Sequence, residues 1–249
     1  MGIVVAAVVV IGLVGLIVYG IISKRKRERA MLSLATKNGW IALGKDDAAL
    51  RQYLPQYIGM LGQQNYGFGS YSRTHSSYDM AYQATIGNHT AVMFQYEYTE
   101  YQSNADPQQP ETSTTRFFTI LNVTMPFAEP TILLLHHDFV SKLVNLGLHT
   151  GLWRIGLEGN FNQYYDTYIM PNGQVEALSI LTPDVMEQVM ALAGTRTHAS
   201  MQMSGQSTII SFENQLLTPE FIEPLMEQVR SLLAKLDAKP HVGSSNGLR

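Results

Sequence analysis

Two adjacent histidines and an acid form the group of residues in this sequence that is best suited to chemistry. His136, His137 and Asp138 directly follow the apolar segment TILLL, at the carboxyl end of a predicted strand, and ligands bind at this end of strands in α/β proteins. Imidazole and carboxylate groups are also common metal ligands. With a third ligand from His149 or Glu158, this group would form the centre of a metal-dependent hydrolase.

Local structure gives a simpler explanation of the same three residues. Successive side chains of a strand point to opposite faces of the sheet, so His136 and His137 cannot easily reach one ion. Asp138 stands where an N-cap would precede the helical segment FVSKLVNLG. The chain has no cysteine, which excludes thiolate zinc sites and cysteine nucleophiles. We therefore favour a helix cap, predict no catalytic residue, metal or cofactor, and keep the metal-dependent hydrolase as an alternative.

A second polar group surrounds Phe161 at the start of a predicted strand. Glu158, Asn160 and Asn162 could form a recognition edge for a peptide or a small ligand. The simpler interpretation is a turn in which these side chains bond to nearby backbone groups, and we favour it. The tyrosines of the following segment could stack on a ligand in a sensor domain, although strand aromatics more often pack on the sheet.

Alternating apolar residues predict the strands that position these groups. The run from Tyr78 to Tyr98 predicts a hairpin with one apolar face, turned at Gly87 and Asn88, and residues 99–115 lack periodicity and predict a long polar loop. Two separate strands are expected next, FFTILNVTM, closed by Pro126, and the buried TILLL. NFNQYYDTYIM predicts another strand, turned at Pro-Asn-Gly into a strand VEALSI.

Helix signals complete an α+β pattern with a largely antiparallel sheet. Thr-Pro-acid sequences at 182–184 and 218–220 predict two helix starts, and the second helix carries an apolar stripe. Between these helices, SMQM and STIISFE predict a pair of strands turned at Gly205. The segment ILTPDVMEQ at 180–188 is similar to LLTPEFIEP at 216–224, which would fit a duplicated strand-strand-helix unit. The same residues are, however, favoured at the start of any helix.

The N-terminus predicts a membrane span. Residues 3–22 contain 20 residues without an ionisable side chain, of which 14 are Ile, Val or Leu. As a helix this segment rises about 30 Å, which matches the hydrocarbon thickness of a bilayer. It shows no polar face, unlike the helices of soluble proteins. We expect a single transmembrane helix over residues 1–23.

A basic cluster follows the apolar run and predicts its orientation. Positive charge before an apolar run is typical of a signal peptide, whereas here the charge comes after it, which places the C-terminal side in the cytoplasm. A tyrosine ring at the predicted membrane interface and five basic side chains together form the orientation signal. These residues are Tyr19, Lys24, Arg25, Lys26, Arg27 and Arg29. Outside residues 24–29 the chain has 12 basic and 19 acidic residues, which excludes a nucleic-acid partner.

The segment LEGNFNQYYDTYIMPNGQVEALSILTPDVMEQVMAL resembles a family of uncharacterised bacterial membrane-anchored proteins known only as a domain of unknown function. The matching positions are Glu158, Phe161, Asn162, Tyr165, Ala177, Leu181, Thr182, Pro183 and Met186. The resemblance also fits the N-terminal anchor and Gly39-Trp40. It implies an anchored cytoplasmic domain and no particular substrate.

Together these patterns predict four segments. A transmembrane helix at 1–23 is followed by a basic juxtamembrane helix at 24–38, a cytoplasmic α+β domain at 39–240 and a disordered tail at 241–249. The expected function is a non-enzymatic interaction or scaffold module, confined near partner proteins by its contact with the lipid bilayer. The alternatives are the hydrolase centred on His136, His137 and Asp138, and a small-ligand sensor.

Overall fold

The computed structural model describes residues 2–44, 47–61, 72–102, 112–137, 151–193 and 198–239, and the side chains of the first helix from Val14 onward. The helices are α1 (Gly2–Lys37), α2 (Asp47–Arg51), α3 (Gln56–Leu61), α4 (Gln174–Ile180), α5 (Pro183–Ala193) and α6 (Pro219–Asp237), with a 3-10 turn at Phe161–Gln163. The strands are β1 (Ile41–Ala42), β2 (Ser72–Ile86), β3 (His89–Gln102), β4 (Thr112–His136), β5 (Trp153–Ile155), β6 (Tyr165–Ile169) and β7 (His198–Glu213).

The described strands form one antiparallel sheet in the order β1-β2-β3-β4-β6-β5, and β7 pairs with β4. The α+β class and the largely antiparallel sheet are therefore confirmed. Apolar side chains lie on both faces of the sheet. One face packs against the end of α1 and against α4, α5 and α6, and the other packs against α2 and α3. Within the described residues, no helix is long and apolar enough to span a membrane.

The helix α1 ends in the core of the domain. Met31, Leu34 and Ala35 are buried in the same cluster as the sheet residues. Gly39 then adopts a left-handed φ of +68°, and the Trp40 N–H donates to the Ala35 carbonyl at 2.8 Å. This is the C-cap geometry that the Asn-Gly sequence predicts. The last turns of α1 are therefore an element of the domain's packing.

The hairpin of β2 and β3 forms as predicted, but it buries both of its faces. In β3, Val92 and Phe94 face one cluster and Ala91 and Met93 face the other, because strand side chains alternate. The expectation of a single apolar face was wrong, since helices cover both sides of the sheet. In β2 a bulge between Asp79 and Tyr82 shifts the pairing register.

Two predicted strand breaks do not occur. FFTILNVTM and TILLL belong to one 25-residue strand, β4, which continues through Pro126 and Pro130 with irregular pairing to β7 between Thr124 and Ile132. On its other side, β4 pairs with β3 in its first half and with β6 in its last five residues. SMQM and STIISFE are likewise one strand, with Gly205 at φ +55° in its middle. Strands also extend into the predicted loop, to Gln102 and from Thr112.

The segment VEALSI is a helix, α4, where we predicted a strand. Its Ala177, Ile180 and Leu181 are buried at helical spacing against the sheet. The first copy of the supposed duplication therefore has a helix where a strand-strand-helix unit requires a strand. The helix starts at Pro183 and Pro219 are confirmed. The apolar stripe of α6 is buried except for Phe221, which is half-buried, and its buried residues are Ile222, Leu225, Val229, Leu232, Leu233 and Leu236.

Candidate functional site

The two histidines at the end of β4 contact different residues of β6, as the alternation of strand side chains predicts. His136 is the last residue of β4 and pairs with Tyr165 of β6, whose ring its own meets edge-on at a centroid distance of 5.6 Å. The backbone N–H of His136 donates to Ser200 Oγ at 3.2 Å. His137 Nε2 instead lies 3.4 Å from the Oδ1 of Asp166, the next residue along β6.

Of the predicted metal ligands, the structure describes His136, His137 and Glu158, and it does not bring these three together. Asp138 and His149 lie outside the described residues, and Glu158 is exposed on the turn after β5. Within the ranges that the structure covers, no group of three or more His, Asp or Glu side chains could hold a metal ion. The helix predicted after Asp138 also lies outside these ranges.

Asp166 is a buried charge that sequence reasoning missed. Its side chain is 7% exposed, and it forms ion pairs with His137 and with Arg154 of β5. Burying an ionised carboxylate is costly unless cationic or hydrogen-bonding partners lie close to it. The pairs connect the end of β4 to β5 and β6, and burial followed by the charge of Asp166 raises the pKa of Tyr168. The one sequence signal was an acid within an otherwise aromatic strand, YYDTYI.

The polar residues around Phe161 separate into a structural residue and two surface residues. The amide of Asn162 closes a turn on Leu157, accepting from its N–H at 3.0 Å and donating to its carbonyl. Glu158 and Asn160 are exposed, and Asn160 makes no side-chain cap bond to the 3-10 turn. Phe161 stacks on Tyr165 at 4.9 Å. The local-turn interpretation thus describes Asn162, whereas Glu158 and Asn160 are surface residues.

The basic residues of α1 are divided between two faces of the helix. Lys24 Nζ lies 2.7 Å from Asp79 Oδ2 on β2, and this carboxylate also accepts the Met80 N–H at 3.1 Å. Arg27 is half-buried beside the domain. The remaining side chains of the cluster are exposed: Tyr19, Arg25, Lys26 and Arg29.

A second buried acidic residue, also missed by sequence reasoning, lies where the pairing of β4 with β7 is irregular. Glu129 is 6% exposed, and neither carboxylate oxygen has a hydrogen-bond partner among the described residues. Nearby, Asp237 at the end of α6 accepts from His89 Nε2 at 2.9 Å. Burial, and then the charge of Asp237, raises the pKa of Glu129 to about 7. The sequence FAEPT gives only a weak signal, since an acid beside a proline usually lies in an exposed turn.

The described geometry defines an α+β protein with an exposed helical extension and structural ion pairs. No family model matches the chain, and no curated protein matches it. One solved structure to which the chain shows some similarity is the crystal structure of the mycobacterial trehalose monomycolate transport factor A, TtfA. It is 12% identical, the match covers 87% of this chain and 99% of that one, and the TM-score is 0.49.

Proposed function

We propose that this chain is a single-pass membrane protein whose α+β domain lies on the cytoplasmic side, where it binds another protein and carries out no catalysis. The observation that carries the proposal is the continuity of α1. The last turns of the helix are buried in the core of the domain at Met31, Leu34 and Ala35. In its apolar half, which the structure describes over residues 14–22, the large apolar and aromatic side chains are exposed.

The exposed half of α1 has no packing partner among the described residues. Seven large apolar or aromatic side chains between Val14 and Ile22 are 47% to 72% exposed. Contiguous apolar surface of this kind is rare in soluble monomers and is costly in water, at about 25 cal/mol for each Å². The apolar sequence also continues upstream to Ile3. Insertion into lipid removes this cost, and the basic residues that follow favour a cytoplasmic C-terminal side.

A second exposed apolar surface supports the protein-binding part of the proposal. Trp153 is 60% exposed on β5, at the edge of the sheet formed by the described strands, and it pairs with Ile169, the residue before exposed Met170. On α4, Val175 and Leu178 are exposed and lie three residues apart, on one helix face. Aromatic residues and methionine are enriched in protein interfaces. Edge strands also offer backbone groups to a partner.

Fractionation and protease protection test the anchor. The full-length chain is expected in the membrane pellet after an alkaline carbonate wash, and its domain is expected to resist protease added to intact cells. Leu16→Arg/Ile17→Arg places two charges in the apolar half, each of which costs about 3 kcal/mol at a helix centre, and is expected to release the chain. The control is Leu32→Arg, at an exposed position outside the apolar half. Wild type in the soluble fraction, or digestion of the domain from outside, would overturn the proposal.

Affinity purification from gently solubilised membranes tests the partner. We expect a reproducible partner with the wild type and its loss with Trp153→Ser/Val175→Ser. Both side chains are exposed, so the fold should be unaffected. The matched control is Ile41→Ser, which changes an exposed apolar residue at the opposite edge of the sheet. A partner retained equally by all three proteins would place the interface elsewhere, and no partner for the wild type would contradict the proposal.

A further inference from the structure

A concavity bordered by three basic residues lies on the face of α1 that points away from the domain. It has a volume of about 410 Å³ and is lined by Ile22, Arg25, Lys26 and Arg29. These positions are three, four and seven residues apart, so their side chains share one helix face. Lys24, which reaches the domain, lies on the opposite face. The helix thus presents one basic face to the domain and a separate one outward.

The outward cations have no anionic partner within the described part of the chain. Arg25, Lys26 and Arg29 are exposed and form no ion pair there, whereas neighbouring Lys24 pairs with Asp79 at 2.7 Å. Three like charges on adjacent turns repel one another, and an anion between them relieves the repulsion. Arginine binds phosphate oxygens through two parallel N–H donors, and lysine binds them as a point charge.

Apolar atoms, including those of the long basic side chains, form most of the wall of the concavity. Ile22 is 60% exposed, and Val18 precedes it by one helical turn with 47% of its surface exposed. A ligand that contacts this whole face therefore has an anionic group next to a hydrocarbon chain. A free phosphate matches only the basic part.

We infer that this concavity binds the phosphate of an anionic phospholipid headgroup, with an acyl chain along Ile22 and Val18. The inference rests on the proposed insertion of α1 in the membrane and adds a defined lipid site to it. General attraction between basic residues and an anionic surface requires no site and no fixed stoichiometry. A site requires saturable binding of one lipid that depends on these three cations.

Native mass spectrometry of the full-length chain tests this inference. The purified protein in neutral detergent is titrated with phosphatidylglycerol or with phosphatidylcholine. The site variant is Arg25→Gln/Lys26→Gln/Arg29→Gln, and the control Lys37→Gln/Arg51→Gln/Arg230→Gln removes the same charge from exposed positions elsewhere. We expect saturable binding of one phosphatidylglycerol to wild type and control, and binding at least about tenfold weaker for the site variant.

The other outcomes decide against the site. Unsaturable binding, or equal binding by the site variant and the control, would show diffuse attraction only. Competition by glycerol 1-phosphate at the same concentrations as the lipid would identify a free phosphate ligand. If circular dichroism shows that the triple variant is unfolded, Arg25→Gln and Arg29→Gln singly carry the test, each with a loss of about fivefold. If the chain pellets with membranes but shows no preference for phosphatidylglycerol, the lipid site is refuted and the membrane anchor is not. If the chain fails to pellet, the membrane anchor itself is refuted.

Discussion

The buried Glu129 should make the domain less stable as the pH rises. Its carboxyl group is enclosed where the pairing of β4 with β7 is irregular and has no hydrogen-bond donor among the described residues, and Asp237 contributes a nearby negative charge. These two causes raise its pKa from the ordinary 4.5 to about 7. The folded state therefore keeps a proton over a pH range in which the unfolded state has released it.

The sign and the size of the effect follow from this difference. Well below pH 4.5 both states are protonated, so Glu129 adds no pH dependence there. Between pH 4.5 and about 7 the folded state binds more protons, and the free energy of unfolding falls as the pH rises. At about 1.4 kcal/mol for each pH unit, the full difference approaches about 3 kcal/mol, and local relaxation reduces the expected loss to about 2 kcal/mol.

Glu129→Gln keeps the shape of the side chain and removes its charge. We expect the variant to match the wild type at pH 4.5, where Glu129 is protonated, and to be about 2 kcal/mol more stable at pH 8. For a domain of this size the midpoint of heat denaturation should rise by about 4 to 8 °C at pH 8. Circular dichroism of the full-length chain in neutral detergent measures both midpoints.

The control is Glu187→Gln, at an exposed position of α5. It should shift the midpoint little at either pH. His89 and Asp237 are present in all three proteins, so the comparison isolates the change at position 129 together with its coupling to Asp237. If Glu129→Gln changes the midpoint equally at pH 4.5 and pH 8, the carboxylate is not the source of the pH dependence and the reasoning is refuted.

Three further substitutions test local contacts by chemical denaturation of the full-length chain in detergent. Gln95→Leu removes hydrogen bonds to the carbonyl groups of Phe118 and Gln215 and from the Leu217 N–H. The free energy of unfolding should fall by about 3 kcal/mol, and a fall below about 1 kcal/mol would contradict the importance of these bonds. Asn162→Ala removes the bonds that close the turn and should lower the free energy of unfolding by about 2 kcal/mol. The control Asn160→Ala, at an exposed position, should change it very little. Asn214 has φ +56°, so Asn214→Ala should be about 1 kcal/mol less stable than Asn214→Gly, and equal stabilities would refute this.

Sequence patterns predicted the elements whose signals are local. The alternation of apolar residues along β3 and the helical stripe of α6 correspond to faces that are buried in the structure. The end of α1 at Asn-Gly and the helix starts at Pro183 and Pro219 were also predictable, because caps depend on residues within one turn.

The incorrect predictions concern features that tertiary contacts decide. Pro-Asn-Gly signalled a hairpin, but Glu176, Ala177 and Leu178 favour a helix, and the sheet offers α4 an apolar surface to cover. Proline ends most strands, yet β4 passes two prolines where its pairing to β7 is interrupted. Asp166 and Glu129 were missed because burial of an acidic residue depends on distant parts of the chain, here β5 and the end of α6.

The bulge in β2 explains how α1 can belong to the domain and also extend beyond it. Met80 has φ +48°, a left-handed conformation that costs a non-glycine residue about 1 kcal/mol or more. This conformation shifts the register between Asp79 and Tyr82, and Asp79 there meets Lys24 of α1 at 2.7 Å. The ion pair holds α1 about two turns before its buried residue Met31 and about three turns before Ala35. Two separate contacts fix the direction of a helix more firmly than one. A bilayer around the apolar half of α1 would therefore set the orientation of the whole sheet relative to the membrane.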